Sequence, residues 1–325
     1  MKRRQVVSAV ALCIPLIAGL REPRAQSRGK MIVIGFLDGG ERREWWEAFQ
    51  HKMQDLGYVA GRNVTYEARF AKGNLEALPA LTAELLQLNP AILVTSSSAA
   101  AVAAEHATQK IPIVMASGAD QVSRGLAVSL ARPGANVTGV ASVSSDLMVK
   151  RFELLRELAP KSARVAALWH ADNPSTASVR ELEGAAARAK VAFQSIRFKD
   201  GAALSDVFSA MTRDHVDAVV VIHGPLVYAE RKTIAQLALK HKLPAIYGAA
   251  EYVDAGGLLA YGPSYPELYR RAAIYVDKIL KGANPGDLPI EQPTTFELVV
   301  NADTARAMGI VIPPALMARA SRVVK

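Results

Sequence analysis

Hydrophobic positions along the chain fall into short continuous runs separated by longer amphipathic stretches. Short apolar runs are typical of parallel strands that are covered by helices on both faces, and here they lie at 32–37, 92–94, 113–115, 165–169 and 219–222. The longer stretches predict helices, since Trp46, Phe49 and Met53 follow one another at helical spacings of three and four residues. The pattern therefore predicts an α/β protein with doubly wound parallel sheets.

The same α/β unit occurs twice in the sequence, about 128 residues apart. The first copy spans 31–117 and the second spans 164–248. Phe70 in the first copy corresponds to Phe198 in the second, and each is followed three residues later by a glycine. Self-similarity on this scale indicates two lobes of the same architecture. Two similar lobes in one chain indicate a cleft that closes on a ligand.

Three extended segments bounded by Gly, Pro or Asn lie outside the repeat, at 136–143, 256–264 and 296–301. We expect these segments to form a three-segment hinge between the lobes, with the helix at 265–281 returning to the first lobe. The predicted domains are a first lobe of 31–139 plus 262–296 and a second lobe of 140–261 plus 297–325.

The first 25 residues have the pattern of a signal peptide, which predicts export to the periplasm. Lys2, Arg3 and Arg4 precede an apolar run of 15 residues, which is too short for a comfortable membrane span. A Sec signal, a twin-arginine signal and an uncleaved anchor all stay open. The single cysteine, Cys13, lies inside this segment, so the mature chain has no thiol for a disulfide or a nucleophile.

The formal net charge of +9 does not indicate nucleic-acid binding. The first 25 residues carry +4 of it, and the remaining Lys and Arg are scattered without a basic stripe or interleaved aromatic residues. A sugar-responsive repressor would carry a DNA-binding headpiece before such a core, whereas we expect the segment before the repeat to be a leader. We therefore expect no nucleic-acid partner.

Candidate binding residues follow the predicted strands, because ligands of open parallel sheets sit beyond the carboxyl ends of the strands. Hydroxyl groups at a helix N-terminus suit an anion, and carboxylates suit a ligand ammonium or sugar hydroxyls. Each residue could instead cap a helix or stabilise a turn. The predicted ligand-binding residues are Asp38, Ser96, Ser97, Ser98, Asp120, Asn173, His223, Tyr247 and Glu251.

The two neighbouring tryptophans receive different predictions. Trp46 shares its helix face with Phe49 and Met53, which favours a core position. Trp45 lies at the mouth of the first loop and could stack on a ligand ring.

Motifs for catalysis, metal binding and cofactors are absent from the sequence. There is no G-x-S-x-G elbow, no P-loop and no G-x-G-x-x-G, and the six histidines have no metal-ligand spacing. A two-lobed enzyme such as a sugar-nucleotide transferase would need Arg or Lys in the cleft to hold phosphates, and the predicted cleft loops carry none. We therefore expect no catalytic residue, no metal and no cofactor.

Several longer phrases resemble one bacterial family. The segments 129–142, 256–301 and 304–320 are similar to the ABC-transporter substrate-binding proteins allied to tryptophan/tyrosine-binding lipoproteins. The resemblance extends over essentially all of the chain from Met31 onward and implies the type I periplasmic-binding-protein fold. Such proteins deliver a small solute to a membrane permease and catalyse nothing. The chain departs from the family at 119–122, where relatives usually carry Gly-Asp-Pro-Val, so the resemblance leaves the identity of its solute open.

The sequence thus predicts an exported solute-binding protein of an ABC importer. The expected partners are a small-molecule solute and an ABC permease, and the protein is expected to be a monomer. An amino acid or another small carboxylate is favoured as solute, while an aromatic acid or a sugar would also fit. The alternative is a periplasmic sensory module that signals to a membrane partner.

Overall fold

The computed structural model describes residues 31–119, 121–143, 147–172 and 176–325. The strands in chain order are β1 Ile32–Asp38, β2 Val64–Phe70, β3 Ile92–Thr95, β4 Ile113–Met115, β5 Val137–Gly139, β6 Arg164–His170, β7 Ala192–Phe198, β8 Ala218–Val221, β9 Ala245–Tyr247, β10 Leu259–Gly262, β11 Glu297–Asn301 and β12 Arg322–Val324. The α-helices are α1 Arg43–Asp55, α2 Leu78–Gln87, α3 Ser98–Ala107, α4 Met148–Leu158, α5 Thr176–Arg188, α6 Leu204–Arg213, α7 Pro225–Ala229, α8 Arg231–Lys240, α9 Ala250–Asp254, α10 Tyr265–Leu280, α11 Ala302–Met308 and α12 Pro314–Arg319. In the described residues, no helix is both long enough and apolar enough to cross a membrane.

The strands form two sheets whose order confirms the internal repeat. The first sheet has the order β2-β1-β3-β4-β5, and the second has β7-β6-β8-β9-β10 followed by β11 and β12. β1 pairs with β2 over seven positions, as β6 does with β7, and both pairs end on the predicted equivalents Phe70 and Phe198. Among the described strands, the β10–β11 pair is the antiparallel one. The predicted pair of parallel-sheet α/β lobes is confirmed.

The three segments predicted as a hinge are built into the sheets. Residues 136–143 contain β5, 256–264 contain β10, and 296–301 contain β11. The chain passes between the lobes just after β5, just after β10 and just before β11, as judged from the described residues. Two of these passages lie side by side, because Glu291 donates its backbone N–H to the Gly139 carbonyl at 3.0 Å and Ala141 donates to the Glu291 carbonyl at 2.7 Å.

Helix α10 returns to the first lobe, as the sequence predicts, and packs along α1. Arg271 of α10 forms a two-pronged ion pair with Glu291, with both N–O distances at 2.5 Å. The helix is thus tied to the passage that leads to β11. We keep 31–139 plus 262–296 and 140–261 plus 297–325 as the proposed bounds of the lobes.

Hydrophobic cores lie on both faces of each sheet, as expected for strands made of continuous apolar runs. One cluster fills the face of the first sheet that is covered by α2 and α3, and a second fills the face of the second sheet that is covered by α4 and α5. A third cluster is continuous from one lobe to the other. Trp46 stacks between Phe36 and Phe49, with ring centroids 4.1 and 4.7 Å apart. The predicted core position of Trp46 is confirmed.

Gly139 ends β5 at a place where a side chain has no room. Its φ is +125°, and an added Cβ would lie 2.2 Å from the carbonyl oxygen of Met115 on the neighbouring strand. Gly282 also has a positive φ, +102°, but nothing lies within 4 Å of its Cβ position. Substitution of the two glycines therefore distinguishes the cost of an unfavourable φ from the cost of a steric clash.

We expect Gly139→Ala to lower the free energy of unfolding by about 3 kcal/mol or more, because the Cβ clash with backbone adds to the unfavourable φ. Gly282→Ala is the matched control and is expected to cost about 1 kcal/mol from φ alone. Urea unfolding followed by circular dichroism measures both. Equal losses in the two variants would contradict the close packing of β4 on β5.

Candidate functional site

The carboxyl ends of the central strands bring most of the predicted site residues to one region between the lobes. Asp38 ends β1, the serine run joins β3 to α3, His223 follows β8, and Tyr247 ends β9. Glu251 lies on α9, directly after β9. Asp120 and Asn173 lie outside the described residues, so their predicted contacts stay predictions.

Asp38 lies in a closed polar network with Arg42 and Ser96. All three side chains are buried. The carboxylate accepts hydrogen bonds from the backbone N–H groups of Gly40 at 2.8 Å and Arg42 at 3.1 Å, from the Arg42 guanidinium and from the Ser96 hydroxyl. Arg42 also donates to Ser96 Oγ at 2.7 Å. The carboxylate of Asp38 and the hydroxyl of Ser96 are thus engaged within the first lobe.

The charge state of this network follows from its contacts. Burial by itself raises the pKa of Asp38, but the Arg42 charge and the hydrogen bonds from Arg42, Ser96 and Gly40 bring it below its usual value. Burial likewise opposes the charged form of Arg42, yet Asp38 raises the pKa of Arg42 overall. Both groups are therefore ionised and form a buried ion pair.

The other two serines make local hydrogen bonds. Ser97 is the N-cap of α3 and accepts from the Ala100 backbone N–H at 3.3 Å. Ser98 Oγ donates to the Ala119 carbonyl and accepts from the Ala119 N–H, both at 2.8 Å. These bonds fit the capping and turn-stabilising alternatives that the sequence left open. Ligand contact by these serines stays a prediction.

Aromatic rings from both lobes meet in the cleft. Trp45 of α1 stacks on Tyr265 of α10, with ring centroids 4.3 Å apart and an interplanar angle of 7°. From the second lobe, the His223 ring lies 4.8 Å from Tyr265 and 6.0 Å from Trp45. Tyr228 of α7 lies 4.8 Å from Trp45. Flat rings of both lobes therefore pack on one another between the lobes.

Glu251 connects this aromatic cluster to the second lobe. Its carboxylate accepts a hydrogen bond from the indole N–H of Trp45 at 2.6 Å, across the cleft. Burial raises the pKa of Glu251, and the charges of Glu44 and Asp254 add to this rise, while the bond from Trp45 opposes it. Glu251 thus lies in the cleft, as predicted, with an interlobe partner already in place.

Several buried polar groups near the cleft have no hydrogen-bond partner among the described residues. They are both ring nitrogens of His223 and the hydroxyls of Tyr247, Tyr252 and Tyr265. Burial, with the charges of Arg42 and Arg151, holds the pKa of His223 well below its usual value, so the ring is neutral. Burial raises the pKa of Tyr265 to about 12. A neutral imidazole and neutral phenols can each donate or accept a hydrogen bond.

Tyr247 lies deeper in the second lobe than the other predicted residues. It is fully buried and stacks on Tyr252 at 4.8 Å, and Gly257 leaves room for its ring edge. Tyr252 in turn lies 6.0 Å from His223. Tyr247 therefore supports the ring that reaches the cleft.

Arg151 is a buried cation under the cleft floor of the second lobe. Its Nε donates to the Tyr261 carbonyl at 2.7 Å, and burial lowers its pKa to about 10. Gly248 and Gly262 make room for it, since a Cβ at either position would lie 3.1 or 3.4 Å from its Nη2. Arg151 remains protonated at neutral pH and gives this end of the cleft a positive charge.

Sequence reasoning missed Arg42, Arg151 and Tyr265, which lie beside or on helices instead of in the predicted strand-end loops. The predicted cleft loops carry no Arg or Lys, but Arg42 beside α1 and Arg151 on α4 place two buried cations near them. Arg42 is neutralised by Asp38 and does not provide a phosphate clamp. A signal for Arg151 does exist: it shares the apolar face of α4 with Met148 and Phe152.

Two parallel α/β lobes that close on a polar, ring-lined cleft define a type I periplasmic binding protein. The chain belongs to the ABC transporter substrate binding protein family, whose model matches residues 30–324. The predicted family and fold are confirmed.

Individual relatives agree with this assignment. A tyrosine-binding protein of Clostridioides difficile (strain R20291) is 24% identical over 263 residues, which is 81% of this chain and 75% of the relative. The ABC domain from Streptococcus pneumoniae in complex with L-Trp has a TM-score of 0.81 at 24% identity and covers 90% of this chain and 100% of its own. A conserved domain protein from Vibrio cholerae O1 biovar eltor has a TM-score of 0.82 at 26% identity, with the same coverage.

We expect Asp38→Asn to lower the free energy of unfolding at neutral pH by about 3–5 kcal/mol, because it leaves the buried Arg42 charge without its counter-ion. Ser97→Ala serves as the control and is expected to cost only about 1 kcal/mol, the value of one helix cap. Denaturant unfolding of both variants gives the comparison.

The loss of unfolding free energy in Asp38→Asn should decrease as the pH falls. The folded pKa of Asp38 lies below its unfolded value, so the pair stabilises the protein above the usual carboxyl range and this stabilisation is lost as pH falls through the folded pKa. The difference between wild type and Asp38→Asn should therefore narrow in acid. A difference that grows as pH falls would show that Asp38 is not ionised in the folded protein.

Proposed function

We propose that this protein captures a small solute between its two lobes and delivers it to an ABC permease. The observation that carries the proposal is the set of buried polar groups around the cleft without partners among the described residues, centred on His223. Buried polar groups without hydrogen bonds are unfavourable by about 1–3 kcal/mol each. A solute that bonds to these groups would remove this penalty in the closed form.

An amino acid with an aromatic side chain is the solute that best fits the cleft. Trp45, Tyr265 and Tyr252 present ring surfaces that favour a flat apolar group. The positive charge of Arg151 and the neutral donors nearby favour a carboxylate. The names of two relatives agree with this class, since one is a tyrosine-binding protein and the other was crystallised with L-Trp.

The proposed cycle follows from where the recognising groups lie. Trp45 and Tyr265 belong to the first lobe, whereas His223, Tyr252 and Arg151 belong to the second. A solute can bond to both sets only when the lobes are closed, so it binds the closed form more tightly and shifts the population toward it. The closed form is then the one that the permease recognises. Export to the periplasm through residues 1–25 is part of this proposal.

Thermal unfolding tests the proposed function. The purified protein is unfolded, dialysed, refolded and heated with L-tryptophan, L-tyrosine, other amino acids, aromatic acids and sugars. A solute at 100 times its Kd stabilises the folded state by roughly 2.7 kcal/mol, which raises Tm. We expect the aromatic amino acids to give the largest shift. A shift by sugars alone would overturn the proposed solute class.

We expect His223→Ala to weaken binding of the responding solute by roughly tenfold, the effect of one good hydrogen bond in a buried site. His241→Ala is the matched control, because His241 lies outside the cleft and its Nδ1 is 2.9 Å from the Thr212 hydroxyl. Calorimetric titration measures both variants, and the Tm without solute checks their folding. Equal affinities in the His223 variant and wild type would contradict the assignment of His223 to the site.

A further inference from the structure

Glu44 links the two lobes at the rim of the cleft. It lies in the first turn of α1 and accepts a hydrogen bond from the Tyr228 hydroxyl on α7 of the opposite lobe. Its Oε1 also lies 3.8 Å from Nη2 of Arg231, the first residue of α8. One carboxylate of the first lobe therefore contacts a phenol and a guanidinium of the second.

Arg231 and Tyr228 are held together independently of Glu44. The Arg231 guanidinium lies over the Tyr228 ring, 4.3 Å from its centroid, and Nη1 donates to the Tyr228 carbonyl at 3.2 Å. A guanidinium over an aromatic face is attractive and restricts both side chains. The second lobe thus presents a preformed receptor for the carboxylate.

This contact differs from the steric contacts between the lobes and adds to the Glu251–Trp45 hydrogen bond across the cleft. Gly39 and Gly40 face Pro225, and Gly73 faces Leu226. These glycines allow the two lobes to approach closely but contribute no directional bond. Glu44 brings a charge, and the side chains of Glu44 and Arg231 are 43% and 26% exposed. The Glu44–Arg231 pair is therefore accessible to salt.

We propose that the Glu44 carboxylate, the Tyr228 hydroxyl and the Arg231 guanidinium form a latch that favours lobe closure and thereby sets solute affinity without contacting the solute. The inference rests on the proposed function, because it assumes that solute binds the closed form. The apparent Kd equals the intrinsic Kd divided by the fraction of protein in the competent form. A latch that raises the closed fraction of the unliganded protein therefore tightens binding of every solute by the same factor.

Isothermal titration of wild type, Glu44→Gln, Tyr228→Phe and the double variant with L-tryptophan and L-tyrosine tests the latch. We expect each single variant to weaken both affinities by roughly fivefold to tenfold, the range for a partly exposed charge-assisted hydrogen bond. The double variant should lose little more than Glu44→Gln alone, because the hydroxyl and the carboxylate act through one contact. The ratio of the two affinities should stay unchanged.

Glu41→Gln is the matched control. Glu41 lies three residues before Glu44 and pairs with Arg43 within the same lobe. Glu41→Gln therefore changes the net charge of the protein by the same amount as Glu44→Gln and leaves the latch intact. Affinity in Glu41→Gln should equal that of wild type. A change in the ratio of the two affinities in Glu44→Gln or Tyr228→Phe would overturn the latch, because it would show direct contact with the solute.

Salt gives a second readout. Raising the sodium chloride concentration screens exposed charges, so wild-type affinity should fall with salt while the affinity of Glu44→Gln should fall less. Identical salt dependence in the two proteins would contradict a charged latch at the rim.

Small-angle X-ray scattering separates failure of the latch from failure of the proposed function. In unliganded protein, Glu44→Gln with Tyr228→Phe should increase the radius of gyration, because the closed fraction falls. An unchanged radius overturns the latch. If neither amino acid binds wild type, the proposed solute class fails, whereas the scattering comparison still decides whether the latch holds the lobes together.

Discussion

A single buried ion pair fixes the geometry from which the rest of the cleft follows. Asp38 closes β1 and Arg42 immediately precedes α1, so their contact sets the direction in which the helix leaves the sheet. Ser96 joins the same pair to the end of β3. Because ions cannot lie unpaired in the interior without a large penalty, the loop from Asp38 to Arg42 has little freedom. The positions of Glu44 and Trp45 on the first turn of α1 depend on it.

This arrangement divides the polar residues of the cleft into two kinds. Asp38 and the serines at 96–98 satisfy one another or the neighbouring backbone and give the first lobe its shape. The ring nitrogens of His223 and the hydroxyls of Tyr247, Tyr252 and Tyr265 have no hydrogen-bond partner among the described residues. The first lobe thus carries a rigid polar framework, and neutral polar groups around His223 lack hydrogen-bond partners among the described residues. This combination agrees with a preorganised binding site.

The fold could be predicted from sequence because its signal is local. Continuous apolar runs such as 32–37 and 165–169 identify buried parallel strands, and the repeat shows that they belong to two lobes. The hinge segments were harder to assign. Residues 137–139 and 259–262 are extended and flanked by glycine, which equally fits a free linker and the fifth strand of a sheet, and only long-range pairing with β4 and β9 distinguishes them.

Less of the site could be predicted, since it depends on contacts far apart in sequence. Strand-end reasoning located His223 and Glu251, but it could not tell that Ser97 and Ser98 bond to their own backbone surroundings. Tyr265 reaches the cleft because α10 returns to the first lobe after β10, a topological fact with no local pattern. Arg151 interrupts an apolar helix face, and the sequence alone does not show why a charge lies there. The structure explains it, because Gly248 and Gly262 leave space for the guanidinium.

The position of Trp45 gives the protein an intrinsic optical probe. Its indole ring lies between the lobes, with its N–H on Glu251 of the opposite lobe, whereas Trp46 and Trp169 are packed within single lobes. Separation of the lobes would therefore place one of the three indoles in water and leave the other two unaffected. The emission wavelength of the native chain then reports whether Trp45 is covered by the opposite lobe, without an added dye.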